Sequence, residues 1–391
     1  MHLYILQVLD MFPQLEEVHL LVRKTVRDFV EKRVEPNARR IDQGWYPREL
    51  LREMGELGLL APHAPPEYGG PGLDFRTQVL VAEELAKASP ALATIAEVQG
   101  SMIVYDLIHY AEPALREKWL PPAVKGEKII AFALSEPCCG SDAFSIETKA
   151  ERAGGSWVIN GTKLWITSGM YADAFLVAAR TGPPEEKHKT ITLFLVERGK
   201  CVETTPVYVM GVRGTGTAEV KFKDCEVGDE AVVGGLNGAY KVILDDLNNG
   251  RTCVGAIGLG IAEGALKEAV EYAKRRVAFG NAVINFQVVQ HYVASLRAQI
   301  EAVRNVVYTA AYFKDRGDPR FPLYAQISKY LGSRLAVDAS RTAMQIMGGF
   351  GYSTDSKVEM LYRDAKATEI YEGANEVVLN TLFRLSEKTE L

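Results

Sequence analysis

The segment from Phe132 to Asp142 reads FALSEPCCGSD and sets two hydroxyls, Ser135 and Ser141, around Gly140. A turn of that kind lets the main chain approach an anion or a flat ring closely, because glycine adds no Cβ and neighbouring N–H groups converge. The same composition suits an ordinary structural turn, and the segment alone does not choose between the two. No G-x-x-x-x-G-K-[ST] loop and no G-x-G-x-x-G after a strand occurs, so any cofactor is not held by a Rossmann unit. Other residues with chemical reach are ordinary when taken singly. Trp165 fits a core aromatic, Arg276 a solvated cation at a helix end, Gln345 a surface or interhelical amide and Glu372 a solvated carboxylate. Cys138, Cys139, Cys201, Cys225 and Cys253 are odd in number and lack paired ligand spacing, which predicts neither a metal site nor a disulfide. The adjacent Cys138-Cys139 reads as two small residues in a turn, a redox-sensitive pair being the alternative.

The elements that must position these residues follow from periodicity. Val18, Leu21, Val22, Val26, Phe29, Val30 and Val34 recur every three or four residues, predicting an amphipathic helix that ends at Pro36. Gly55, Gly58 and the cluster APHAPPEYGGPG at 61–72 break the pattern, which resumes over Val79–Leu85, Leu92–His109 and Pro113–Leu120 and stops at Pro121-Pro122. Near Ile129 the period changes. Residues Trp157 to Thr167 read as two short strands around an Asn160-Gly161 hairpin turn, and strand-like runs follow at Phe175–Ala179, Thr190–Val196 and Ala218–Phe222. After Gly238 long helical segments return near Tyr240–Arg276, Gln287–Lys314, Tyr324–Met347 and from Asn375 onward, suggesting a bundle. The reading is an α+β multidomain protein: a helical domain at 1–130, a β domain at 131–239 and a helical bundle at 240–391.

Composition narrows the function classes. The chain has 391 residues, 24% charged and 47% hydrophobic, which is globular usage with room for a large core. With 45 Lys and Arg against 50 Asp and Glu, the net charge of −5 argues against a nucleic-acid binder, whose affinity rests on phosphate neutralisation. The apolar start Leu3–Met11 lacks a basic region and cleavage site and is interrupted by Asp10 and Pro13, so it is not read as a signal peptide. No uncharged stretch approaches the ~20 apolar residues of a membrane span. A soluble, cytoplasmic protein is expected.

Six blocks in order carry a specific likeness. They are Ser135-Glu136-Pro-x-x-Gly140-Ser141-Asp142; Asn160-Gly161-x-Lys163-x-Trp165-Ile166-Thr167; Gly211-x-Arg213-Gly214-x-x-Thr217-Ala218-Glu219; Arg276-x-x-Phe279-Gly280 with Phe286-Gln287; Gln345-Ile-Met-Gly348-Gly349-x-Gly351-Tyr352; and Tyr362-Arg363-Asp364-Ala365 leading to Ile370-Tyr371-Glu372-Gly373. The chain resembles the acyl-CoA dehydrogenase family from about Glu16 to Phe383. The family fold, a helical domain, a β-barrel-like domain and a four-helix bundle, matches the independent reading.

The resemblance implies a non-covalent FAD between the β domain and the bundle. Ser135 and Thr167 would meet the flavin edge that receives hydride, and Trp165 would pack on the ring. Arg276, Phe279, Gln287, Gln345 and Gly349 would reach the pyrophosphate and adenosine end of FAD in a neighbouring subunit, where a guanidinium fork suits a diphosphate. A homotetramer is therefore expected. Ser141, which would also help hold FAD, Arg251 and Gly373 would contact the acyl-CoA, and Glu372 would be the base. Some relatives place the base just before the residue matching Arg251, but here that position is Gly250.

The implied activity is α,β-dehydrogenation of an acyl-CoA to the 2,3-enoyl-CoA, with electron-transferring flavoprotein as acceptor. Alternatives are an acyl-CoA oxidase or nitroalkane-oxidising flavoenzyme using O₂, or a non-catalytic or DNA-binding relative. Ala93 stands where glutaryl-CoA-using relatives carry an Arg, so a short to medium or branched monocarboxylic acyl-CoA is expected rather than glutaryl-CoA. Ala374, where many relatives have Thr, puts one flavin hydrogen bond in question.

Overall fold

The computed structural model describes residues 15–387, so the apolar start at Leu3–Met11 lies outside the described residues. The first part is helical: α1 (Glu17–Phe29), α2 (Ala38–Asp42), α3 (Arg48–Glu56), α4 (Phe75–Ala86), α5 (Pro90–Glu97), α6 (Tyr105–Tyr110) and α7 (Pro113–Val124). Helical backbone does not stop at Pro36. A π turn at Val30–Val34 and a 3₁₀ turn at Glu35–Asn37 carry it into α2, with Pro36 early in the 3₁₀ turn, where a missing N–H costs little. Asp74 and Ser89 cap α4 and α5 by accepting from Thr77 N and Leu92 N, and Pro90 takes the first turn of α5. A π turn at Val98–Val104 links α5 to α6. The whole run Pro90–Tyr110 is apolar and 83% buried over its most apolar window, yet it carries Glu97 and Asp106 inward. Pro121 and Pro122 do not end α7; they sit in its last turn, and their carbonyls accept from Lys125, Glu127 and Lys128.

Eight strands form one sheet: β1 (Ile130–Ala133), β2 (Lys149–Ala153), β3 (Ser156–Ile166), β4 (Ala174–Arg180), β5 (Ile191–Glu197), β6 (Val202–Pro206), β7 (Ala218–Val227) and β8 (Val232–Val233). Their order is β6-β7-β3-β2-β4-β5-β8, with β1 parallel to β4. The Asn160-Gly161 hairpin is not formed. Both residues lie inside β3, and Gly154-Gly155 makes the turn between β2 and β3. Asn160 instead holds a bulge: its side chain donates to Asp224 Oδ1 (3.0 Å) and accepts from Asp224 N (2.8 Å), while β3 slips against β7 between Ile159 and Gly161.

The sheet also corrects the cysteine reading. Cys201 and Cys225 form a disulfide that ties the start of β6 to β7, and Cys138 and Cys139 form another in the 132–142 turn. Cys253 is free and buried.

The bundle comprises α8 (Ala239–Arg275), α9 (Gln287–Asp315), α10 (Phe321–Met347), the short α11 (Gly349–Tyr352), α12 (Lys357–Thr368) and α13 (Asn375–Ser386). Helix α12, capped by Ser356, was not foreseen. The crossing of α8 and α10 is close because Gly255 meets Ser328 and Gly332 meets the Gly255 carbonyl, leaving no room for a Cβ at either glycine. One apolar core joins α1–α5 to the bundle. A second joins α6 and α7 to the sheet, and a third fills the sheet's other face.

Candidate active site

Glu372 lies in the turn between α12 and α13, with φ +52°, a left-handed conformation unfavourable for any residue but glycine and so dependent on its surroundings. Two buried cations hold the turn. Arg251 on α8 donates from Nε to the Glu372 carbonyl (3.0 Å). Lys329 on α10 donates to the Glu369 carbonyl (3.2 Å) and to Asn375 Oδ1 (2.7 Å), which also accepts from Ser333 Oγ (3.1 Å). Burial lowers the Lys329 ammonium to about 8, with Glu372 opposing the drop. Among the described residues the Glu372 N–H meets no acceptor, so it stays available as a donor.

The Glu372 carboxyl occupies the space over Gly250, where a Cβ would stand 2.0 Å from Oε2. The alternative base position noted in the sequence is thus filled from the other side. Burial and then the neighbouring Glu97 push the Glu372 carboxyl well above the usual carboxylate range, with Arg251 and Lys329 pulling the other way. Glu97, at the end of α5, is fully buried and accepts from Ser101 Oγ (2.8 Å), and its carboxyl neighbours that of Glu372, each acting on the other's proton affinity. A carboxylate inside so apolar a segment is the feature the sequence reading passed over; its only signal was a charge interrupting the run from Leu92 to Val104. Arg251 and Gly373 meet here too, as a Cβ on Gly373 would stand 3.0 Å from the Arg251 guanidinium.

A second group gathers in the β domain. A buried Lys163 on β3 donates to Leu134 O (3.0 Å) and Glu136 Oε1 (2.8 Å), and Glu136 also accepts from Glu147 N (2.6 Å) and Thr148 N (3.0 Å). With Leu164 N donating to Ser135 O (2.8 Å), this pair fastens the 132–142 turn to β3. The sequence motifs contained Glu136 and Lys163, but their partnership was not read from them. A further bulge against β7, between Lys163 and Ile166, turns Trp165 outward with φ +64° and 58% exposure. Ser135 and Thr167 are half-buried and Ser141 is exposed. An outward indole on strained backbone beside two hydroxyls is a fitting seat for the flat, polar-edged ring of FAD.

A third group lies on the surface of the bundle. Arg276 ends α8, and Phe279-Gly280 turns a short hairpin of β9 (Val277–Ala278) and β10 (Asn281–Ala282) with Phe279 96% exposed. Gln287 begins α9, while Gln345 and Gly349 lie at the α10–α11 junction; all are exposed. No hydrogen bond or ring contact among the described residues joins this group to the other two.

Comparisons with known proteins place the whole chain. Models of the N-terminal, middle and C-terminal domains of acyl-CoA dehydrogenase match residues 16–127, 131–225 and 237–385. The human protein "Short-chain specific acyl-CoA dehydrogenase, mitochondrial" is 37% identical over 372 residues, covering 93% of this chain and 89% of its own. The structure of butyryl-CoA dehydrogenase from Megasphaera elsdenii superposes with a TM-score of 0.92 at 36% identity, over 95% of this chain and 99% of that one. A glutaryl-CoA dehydrogenase from Mycobacterium smegmatis in complex with FADH2 gives 0.90 at 26% identity, over 97% of each chain. With models of all three domains matching in order along nearly the whole chain, the chain belongs to the acyl-CoA dehydrogenase family.

Proposed function

We propose that this FAD-dependent enzyme dehydrogenates a short-chain, monocarboxylic acyl-CoA, with Glu372 taking the α-proton. The observation that carries the reading is the Glu372 carboxyl, buried over Gly250 on a turn clamped by Arg251 and Lys329. The two cations favour its ionised form, which a base must be, and burial raises its proton affinity. The free Glu372 N–H is a suitable donor to the thioester oxygen as enolate charge develops there. FAD, held by Ser135, Trp165 and Thr167, supplies the hydride acceptor when bound.

Ala93 is buried and uncharged and Glu97 follows it one turn along α5, so α5 offers a second substrate carboxylate no cation. Short chain length is supported by the likeness to short-chain and butyryl-CoA dehydrogenases. Exposed Phe279, Val277 and Arg276 support a second copy covering that surface, as in a homotetramer, and electron-transferring flavoprotein is the acceptor proposed.

Anaerobic mixing of FAD-loaded protein with butyryl-CoA tests the reading. Flavin bleaching is expected, with slow reoxidation in air; rapid reoxidation would identify an oxidase, and no bleaching with straight-chain acyl-CoAs would refute the reading. Size-exclusion chromatography with light scattering checks the tetramer.

A further inference from the structure

Glu97 and Glu372 come from elements 275 positions apart in sequence, yet their carboxyl groups meet in the interior. Ser101 Oγ satisfies Glu97 Oε1, but Glu97 Oε2 and Glu372 Oε2 are each buried without a donor. Two ionised carboxylates cannot face each other in such surroundings, since each lacks water and repels the other. One proton between them removes both difficulties, giving one oxygen a donor and the other an acceptor.

We propose that Glu97 and Glu372 share one proton in the resting enzyme, making Glu97 a positioning residue that donates to the base, aims it and keeps the pair singly charged. The proposal rests on the reading of Glu372 as the α-proton base. In the step itself the substrate α-C–H bond breaks, its proton forms an O–H bond on Glu372, and its electron pair passes to the enolate of the thioester. The pair then holds two protons, one of which returns to solvent before the next turnover.

The groups around the pair fit a single negative charge. Arg251 and Cys253 face it from α8, Ser101 from the π turn, Lys329 from α10 and Tyr371 from the base turn; Asp246 on α8 lies farther along, and Glu369 acts on Lys329 rather than on the pair. Cys253 and Tyr371 stay neutral, because burial and the nearby carboxyls raise both. Asp246 is raised to about 8 by burial and faces Asp106, itself raised well above the ordinary range, so that pair also keeps a proton. Arg251 and Lys329 then face the one charge of the Glu97–Glu372 pair, with Glu369 and Glu376 supplying further negative charge to Lys329.

The test uses FAD-loaded wild type, Glu97→Gln and Glu97→Ala. The rate of anaerobic flavin reduction by butyryl-CoA is followed from pH 5 to 9.5, alongside infrared difference spectra of the substrate-free enzymes at pH 7. Wild type should give a bell: the acid limb reports a second proton on the pair, and the alkaline limb the loss of the shared one, which leaves two charges beside the forming enolate. Glu97→Gln keeps a donor but no second acid, so it should stay within ~10-fold of wild type near neutrality and lose the alkaline limb. Glu97→Ala removes the donor and should move the acid limb up by about 1 pH unit or more. The infrared difference between wild type and Glu97→Gln should show one protonated carboxyl lost. A difference spectrum without that loss, or a Glu97→Ala profile that coincides with wild type, overturns the proposal. Wild-type enzyme that butyryl-CoA does not bleach would instead tell against the base reading, and the infrared comparison still decides the proton sharing.

Discussion

Replacing Gly250 by Ala places a methyl group where the base now stands. The Cβ would lie 2.0 Å from Glu372 Oε2, 2.5 Å from Cδ and 2.7 Å from Oε1. Ordinary van der Waals contact begins at 3.4 Å, so the carboxyl must retreat by about 1.4 Å. Misplacing a reacting group by ~1 Å costs on the order of 10²-fold, so flavin reduction should fall ~10²-fold or more, about 2.7 kcal/mol in the barrier. Folding stability should move the opposite way. Alanine is favoured over glycine in a helix interior by ~0.5–1 kcal/mol, and what the new methyl displaces is the end of a flexible side chain rather than backbone. The assay pairs stopped-flow reduction by butyryl-CoA with thermal unfolding and FAD content. Reduction within ~3-fold of wild type would refute the placement of the base over Gly250, because a displacement of that size cannot be catalytically silent.

Three other outcomes are expected. Glu372→Gln keeps shape and hydrogen bonding but cannot take the proton, so it should bind acyl-CoA with a spectral change while flavin reduction falls by ~10²- to 10⁴-fold; bleaching near the wild-type rate would show another base. Asp364 is buried and raised to about 7 by burial, so the folded state holds its proton where the unfolded chain has lost it, and stability declines as pH rises from about 4 through 7. Asp364→Asn should flatten that decline in urea unfolding at pH 5.5 and 8.5; an unchanged slope would refute the assignment. Breaking the Cys201–Cys225 link, whose ends lie 24 residues apart, should lower stability by about 3.5 kcal/mol by the loop-entropy relation, and coincident unfolding of wild type and Cys201→Ser under non-reducing conditions would exclude it.

The helix, strand, helix order was legible because amphipathic stripes such as Val18 to Val34 and the short apolar runs of the sheet are local signals. Local signals also misled. Asn160-Gly161 has hairpin composition, but its neighbours on β7 pair with both flanks of β3 and turn the asparagine into the brace of a bulge. Pro121-Pro122 looks like a stop because proline lacks an N–H, yet in the last turn its carbonyls are what the chain uses. The residue blocks pointed to Glu372, Trp165 and the 132–142 turn. They could not show that Lys163 partners Glu136, that Lys329 grips the base turn or that Glu97 meets Glu372, since each is a long-range contact between residues that look unexceptional in their own segments. The Cys201–Cys225 bond escaped for the same reason: spacing alone does not tell which cysteines come together.

Locally the turn at Glu372 is spanned by Asn375 N on the Glu369 carbonyl (3.0 Å) and Tyr371 N on the Ala367 carbonyl (3.1 Å), neither of which engages the left-handed residue itself. Its supports come from α8 and α10, through Arg251, Lys329 and Ser333, and those helices must first cross at Gly255 and Gly332. Competence to abstract a proton is therefore a property of finished assembly rather than of any one segment. During refolding from denaturant, helical ellipticity should recover first and substrate-driven flavin reduction last, so the catalytic turn serves as an internal clock for closure of the bundle; simultaneous recovery of the two signals would show that the turn forms on its own.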